Sequence, residues 1–157
     1  MIIFDLDGTL ADCEHRRHFV DPLYREDSFR IGKTFYEACD KDVPINHVID
    51  IFSEYNDDEY NCNEIQIWSG RCESVRDKTE KWLKKYTSFD RMNCRILKMR
   101  PIGDNTPDEK LKEKWLDEVI AEGKIIDFVF DNRTKVVDMY RRRGIFVFDV
   151  NQSGNEF

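Results

Sequence analysis

Two aspartates separated by a single residue follow directly on an apolar run at the start of the chain, Ile2-Ile3-Phe4-Asp5-Leu6-Asp7-Gly8-Thr9-Leu10. Ile2, Ile3 and Phe4 read as a short strand buried on both faces of a parallel sheet. Side chains alternate across a strand, yet a chain that bends at Gly8 brings Asp5 and Asp7 around one small pocket at the strand's C-terminal edge. Adjacent carboxylates resist joint ionisation, so the pocket calls for a compensating cation. A hard divalent ion such as Mg2+ suits oxygen ligands. The plainer explanation is a strand running into a polar turn, because Asp-Gly is a common turn pair.

Two further apolar runs end in residues whose types could do chemistry. Ile65-Gln66-Ile67-Trp68 stops at Ser69-Gly70-Arg71, where a hydroxyl and free backbone N–H groups beside a helix start can cradle a phosphate. A serine there also suits a helix cap. Ile126-Asp127-Phe128-Val129-Phe130 stops at Asp131-Asn132-Arg133. An acid at that strand end stands beside Asp5 and Asp7 across the sheet edge and completes an oxygen-donor site, with Asn132 as a further oxygen ligand. Lys110, Lys112 and Lys114 lie on the helix between these runs, and any of them could bring a positive charge.

The elements that must hold these residues alternate. Strands are expected at Ile2–Asp5, Ile65–Ser69, Cys94–Lys98, Ile126–Asp131 and Ile145–Asp149, and helices at Val43–Tyr55, Ser74–Tyr86, Asp108–Ile120 and Arg133–Arg143. That alternation predicts an α/β fold, a doubly wound and mainly parallel five-stranded sheet covered on both faces. Pro107 suits the first turn of its helix with Thr106 as N-cap, and Gly144 ends the last helix. The chain is expected to form a single domain over residues 1–157. Residues 11–42 break the rhythm, and their polar and aromatic composition predicts a small lid with short helices near Glu14–Val20 and Thr34–Cys39, too short for a separate cap domain.

Composition narrows the class. The 157 residues include 11 Phe, 6 Tyr and 3 Trp, enough for a real core. A net charge of -7 argues against a broadly basic nucleic-acid clamp, while leaving room for a local basic cleft. The 5 cysteines are odd in number and lack CxxC spacing, which predicts reduced thiols in a cytoplasmic protein. A core strand that begins at the first residues leaves no room for a signal peptide, and no apolar stretch predicts a membrane span. No obligatory protein partner is evident.

Several tempting features are set aside. Gly32-Lys33-Thr34 resembles the end of a phosphate-binding loop, but Asp27 stands where that loop needs glycine. His15 and His18 have no third histidine near and are read as an ordinary lid face. Arg141-Arg142-Arg143 complements a helix dipole, and Asp57-Asp58-Glu59 is read as a solvated loop.

Asp5-Leu6-Asp7-Gly8-Thr9 after an apolar strand resembles the first motif of the haloacid dehalogenase (HAD) superfamily. Ser69 is similar to the second motif and Asp131 to the fourth, where Asn132 replaces the family's usual second acid. A closer resemblance is to the phosphatase domain of phage polynucleotide kinase-phosphatases and related small phage enzymes. It is carried by Ser69-Gly70-Arg71, Arg100 with Gly103-Asp104, Asp108 through Lys112, and residues 131–142. It implies that Lys112 is the motif lysine. Arg71, Arg100 and Asp108 match residues around the family's substrate cleft, with Arg16 or Arg17 near the arginine that follows the first motif.

The resemblance implies a Mg2+-dependent phosphatase in which Asp5 attacks phosphorus and Asp7 serves as acid and then base. Asp5, Asp7 and Asp131 would hold the metal, and Ser69, Gly70 and Lys112 the phosphoryl group, with Thr9 bracing the loop. The expected substrate is the 3'-phosphate of a nucleic-acid end. Free nucleoside monophosphates are the alternative, and a catalytically silent binding module is the bland reading.

Overall fold

The computed structural model describes residues 1–20, 35–58 and 64–151. Its centre is a five-stranded parallel sheet in the order β5-β4-β1-β6-β7. The strands are β1 (Ile2–Asp5), β4 (Ile65–Cys72), β5 (Cys94–Arg100), β6 (Phe128–Asp131) and β7 (Val147–Asp149). Two short strands, β2 (Ala11–Asp12) and β3 (Val43–Pro44), pair antiparallel outside it.

β1 is the middle strand, and both of its faces are covered, which explains its unbroken apolar run. Ile2 and Phe4 join one core with Phe52, Ile67, Leu83 and Phe130. Met1 and Ile3 join the other with Trp68, Leu116, Val129 and Val137. The first core is roofed by α2 (Asn46–Asp57) and α3 (Arg76–Tyr86), the second by α4 (Asp108–Ala121) and α5 (Thr134–Arg142). This two-sided cover is the doubly wound arrangement the alternation predicts. Among the described residues the segment between β1 and α2 forms a small flap with no large cap domain.

The flap begins with a short helix, α1 (Glu14–Arg17), and returns through a helical turn at 35–37 and a 3₁₀ turn at Cys39–Lys41. Thr34 and the Gly32-Lys33-Thr34 motif lie outside the described residues.

Several boundaries differ from expectation, and three of the differences bear on the site. The helix expected from Val43 starts at Asn46, because Val43 and Pro44 pair with Asp12 and Ala11. Thr106 does not cap α4; the N-cap is Pro107, whose carbonyl accepts the Lys110 and Leu111 N–H groups, while the Thr106 N–H turns to Asp104. β4 runs on through Ser69, Gly70 and Arg71 to Cys72, so those residues sit in an irregular strand end.

Gly144 does end α5. Its φ of +73° lets its N–H reach the Arg141 carbonyl while the Ile145 N–H reaches Tyr140. Among the described residues no helix is long and apolar enough to cross a membrane.

Candidate active site

Strand parity decides which acids meet. Ile3 and Val129 point toward α4 and α5, so Asp5 and Asp131, two residues further along adjacent strands, point the same way. Lys112 projects from α4 into the gap between them. Its Nζ lies 2.5 Å from Asp5 Oδ1, 2.8 Å from Asp131 Oδ2 and 3.6 Å from Asp108 Oδ2. All four side chains are buried, and Lys112 is only 1% exposed. Lys110 instead pairs with Glu113 at the surface. The Lys112 position is thus distinguished by its reach between strand ends.

These charges do not balance locally. Burial pushes the Asp5 carboxyl up to about 7, and the Asp131 and Asp108 charges push it the same way against the pull of Lys112. Burial likewise raises Asp131. Lys112, ringed by acids, is held protonated well above its ordinary range despite its burial.

Leu6 turns the chain after β1, its carbonyl accepting the N–H groups of Thr9, Leu10 and Ala11. Gly8 takes a φ of +86° there, and a Cβ on it would lie 2.2 Å from Asn132 Nδ2. Glycine at position 8 therefore serves both the bend and the close approach of Asn132. Thr9 Oγ1 donates to Asn132 Oδ1 at 3.2 Å, a buried link between the loops after β1 and β6. That link takes up one of the two lone pairs of the Asn132 side-chain oxygen.

Asp7 leaves the turn in a different direction. Its Oδ1 accepts Arg16 Nη2 at 2.6 Å, Arg71 Nε at 2.9 Å and Arg71 Nη2 at 2.5 Å. Those guanidinium charges outweigh burial and hold its carboxyl below the ordinary range. Asp7 Oδ2 has no hydrogen-bond partner among the described residues, and Asp7 lines a cavity of about 60 Å³. The rest of its wall is Asp5, Phe35, Tyr36, Gly70, Arg100, Asp108 and Arg133.

The expected arginines divide. Arg16 and Arg71 are fully buried and face inward, toward Asp7 and the flap's Asp42. Both guanidiniums are taken up by these two carboxylates. Arg17 pairs with Glu14 on α1. Arg100 does line the cavity, with its guanidinium donating to the Gly70 and Thr106 carbonyls and to Asp108. Asp108 is drawn below its ordinary range by Lys112, Arg133 and Arg100, which overcome its burial. Gly70 packs so tightly on it that a Cβ would fall 2.5 Å from Asp108 Oδ1. Ser69 is buried inside β4, its hydroxyl accepting the Arg71 N–H, and it is not part of the cavity wall.

Four residues at this site were not singled out from sequence. Arg133 lies on the wall beside Asp108, Phe35 stacks under the Arg16 guanidinium at 4.2 Å, and Tyr36 donates its hydroxyl to the Gly70 carbonyl. Asp42 is the fourth, an acid in a polar stretch with no periodicity to mark it. His15, read as an ordinary flap residue, has Nε2 2.8 Å from Asp42 Oδ1.

The donors suit a hard cation. Asp5 Oδ2 has no hydrogen-bond partner among the described residues, and Asp5 and Asp131 together carry more negative charge than Lys112 cancels. Among the described residues no three His, Cys, Asp or Glu side chains are grouped so that they could hold a metal ion, so such an ion would rest on two carboxylates and backbone oxygen.

Comparison with known proteins places the chain in a family. A chain of the Pnkp1/Rnl/Hen1 RNA repair complex shares 27% identity over 94% of this chain, with a TM-score of 0.70. A second structure of the Pnkp1/Rnl/Hen1 complex gives 27% identity and a TM-score of 0.71. The present chain spans 41% and 44% of those two chains. A HAD-family enzyme of Bacteroides thetaiotaomicron, solved with magnesium and inorganic phosphate, is 12% identical over 99% of this chain and 96% of its own, with a TM-score of 0.53, and shares the fold. Residues 1–155 match the phosphatase domain of polynucleotide kinase PNKP, and the chain, a HAD-type phosphatase, belongs to that family.

Proposed function

We propose that this phosphatase hydrolyses phosphomonoesters through an aspartyl-phosphate on Asp5, and that its preferred substrate is the 3'-phosphate of a nucleic-acid end. The observation that carries the mechanism is the buried Asp5–Lys112–Asp131 cluster, from which Asp5 reaches the cavity wall that it shares with Asp7.

Asp5 presents an oxygen without a hydrogen-bond partner for attack on phosphorus. Lys112 offsets charge on the nucleophile and on the phosphoryl group it receives. Asp7, held by one oxygen, offers the other to protonate the leaving alkoxide and then to take a proton from the water that cleaves the intermediate. Asp5, Asp131 and the Asp7 carbonyl would hold Mg2+, which when bound neutralises charge on the phosphoryl oxygens.

The nucleic-acid reading is supported by the PNKP family match, by the relatives in an RNA repair complex, and by Arg100 and Arg133 on the cavity wall. Free nucleoside monophosphates remain the second reading, favoured by the net charge of -7 and by the inward burial of Arg16 and Arg71. The test is phosphate release from 3'-phosphorylated oligonucleotides, 3'- and 5'-mononucleotides and sugar phosphates, with and without Mg2+. Highest kcat/KM on the oligonucleotide is expected; a preference for 5'-mononucleotides overturns the nucleic-acid reading.

A further inference from the structure

Asp42 closes a buried ring of four charges. Its Oδ1 accepts Arg16 Nε at 2.7 Å, and its Oδ2 accepts Arg16 Nη2 at 2.8 Å and Arg71 Nη2 at 2.5 Å. The same two Nη2 groups donate onward to Asp7 Oδ1. The circuit runs Asp7–Arg16–Asp42–Arg71 and back, and the Asp42, Arg16 and Arg71 side chains are wholly buried. Two carboxylates offset two guanidiniums, so the ring is neutral before His15 adds its contact to Asp42.

Asp42 is itself fixed from two sides. Its carbonyl accepts the Trp82 indole N–H from α3 at 2.8 Å. The next residue, Val43, pairs with Asp12 in the β2–β3 ribbon. A guanidinium left to choose its own geometry could fork across both oxygens of Asp7. Here Asp42 takes both prongs of the Arg16 fork and shares Nη2 of Arg71, and all three arginine bonds to Asp7 fall on Oδ1. Oδ2 is thereby left without an arginine bond, on a residue that lines the cavity.

We propose that Asp42 is a positioning residue for Asp7: by anchoring Arg16 and Arg71 from the flap side, it makes them grip one oxygen of Asp7 and leave the other for proton transfer. This rests on the reading above, in which Asp7 gives and takes the proton. Asp42 touches no substrate and acts only through the arginines.

The experiment compares wild type, Asp5→Asn, Asp42→Asn and Trp82→Phe, with folding checked by thermal melting. Steady-state kinetics on p-nitrophenyl phosphate are combined with acid-trapped phosphoenzyme. The p-nitrophenolate leaves without help from an acid, so hydrolysis of the intermediate is the step that depends on Asp7. Folded Asp42→Asn should lose about 10²-fold in kcat, as expected for a displaced catalytic group, with KM within a few-fold of wild type and more phosphoenzyme at steady state. Trp82→Phe keeps every charge of the ring and frees the Asp42 carbonyl; it should show the same pattern with a smaller loss, and it serves as the readout should Asp42→Asn fail to fold. Wild-type kcat and phosphoenzyme in these variants overturn the proposal, as does a loss confined to KM. An active Asp5→Asn without phosphoenzyme overturns the parent mechanism and this proposal with it. An inert Asp5→Asn beside wild-type-like Asp42→Asn overturns this proposal alone.

Discussion

Lys112 Nζ lies 2.5 Å from Asp5 Oδ1 although the two residues are 107 positions apart in the chain. The contact joins the middle strand of the sheet to a helix on its second face, and it binds the proposed nucleophile to its main buried cation. Lys112→Met should therefore damage both function and stability. Without it, Asp5 and Asp131 lose the cation between them, and Asp108 keeps Arg100 and Arg133. Removing one partner of a buried ion pair costs roughly 3–5 kcal/mol, so urea unfolding at neutral pH should show a loss of that order. kcat/KM should fall at least about 10²-fold, the scale set by the loss of one preorganised electrostatic contact.

Asp5→Asn should abolish turnover and leave no trappable phosphoenzyme, yet stabilise the fold at neutral pH. Burial and neighbouring acids raise the Asp5 carboxyl from 3.8 to about 7. The folded state thus binds this proton more tightly than the unfolded state does. The stability conferred by protonation is fully present below about 4 and is lost as pH rises through about 7. In metal-free buffer the melting temperature of Asp5→Asn relative to wild type should climb across that window and level off above it. A flat difference between pH 4 and 8 would count against the raised carboxyl.

Metal removal gives a third check. Activity should vanish in EDTA and return with Mg2+, and Asp131→Ala should need far more Mg2+ for half-activation. Asn132→Asp keeps the acceptor for the Thr9 hydroxyl and the fit against Gly8, so it should retain activity within several-fold. Gly8→Ala should not, because it meets both a left-handed φ and a 2.2 Å overlap with Asn132. Full activity in chelator would exclude the two-carboxylate design.

The arginines should separate into two groups. Arg100→Ala and Arg133→Ala remove cations from the cavity wall and should weaken a 3'-phosphorylated oligonucleotide about tenfold or more, with a smaller effect on an aryl phosphate. Rising salt should erode the oligonucleotide's advantage in wild type and less so in these variants. Arg16→Ala and Arg71→Ala disturb Asp7 itself and should depress both substrates alike. The reverse pattern would return Arg16 and Arg71 to the substrate.

Much of this was legible in sequence because burial on both faces leaves an unbroken apolar run, and a polar residue that ends such a run marks a sheet edge. That logic locates Asp5, Asp131 and the Ser69–Arg71 strand end. It fails where a side chain's direction depends on closure of the flap. Arg16 sits in a polar stretch that reads as solvent-facing, and only its fit between Asp7 and Asp42 turns it inward. Asp42 had no local cue, since its partners come from α1, the end of β4 and α3. The Val43–Pro44 strand was missed for a similar reason: two residues show no period, and their partner lies across the flap.

The central place of β1 has a consequence for the order in which the enzyme comes into being. On a ribosome the proposed nucleophile emerges 107 residues ahead of its neighbour in space Lys112, and Asp131 follows later still. β1 gains its β4 partner first and its β6 partner much later. Nascent chains that stop short of β6 lack one wall of the site and half of its acid pair, so catalytic competence arrives in one late step, as expected where distant strands must meet before either is rewarded.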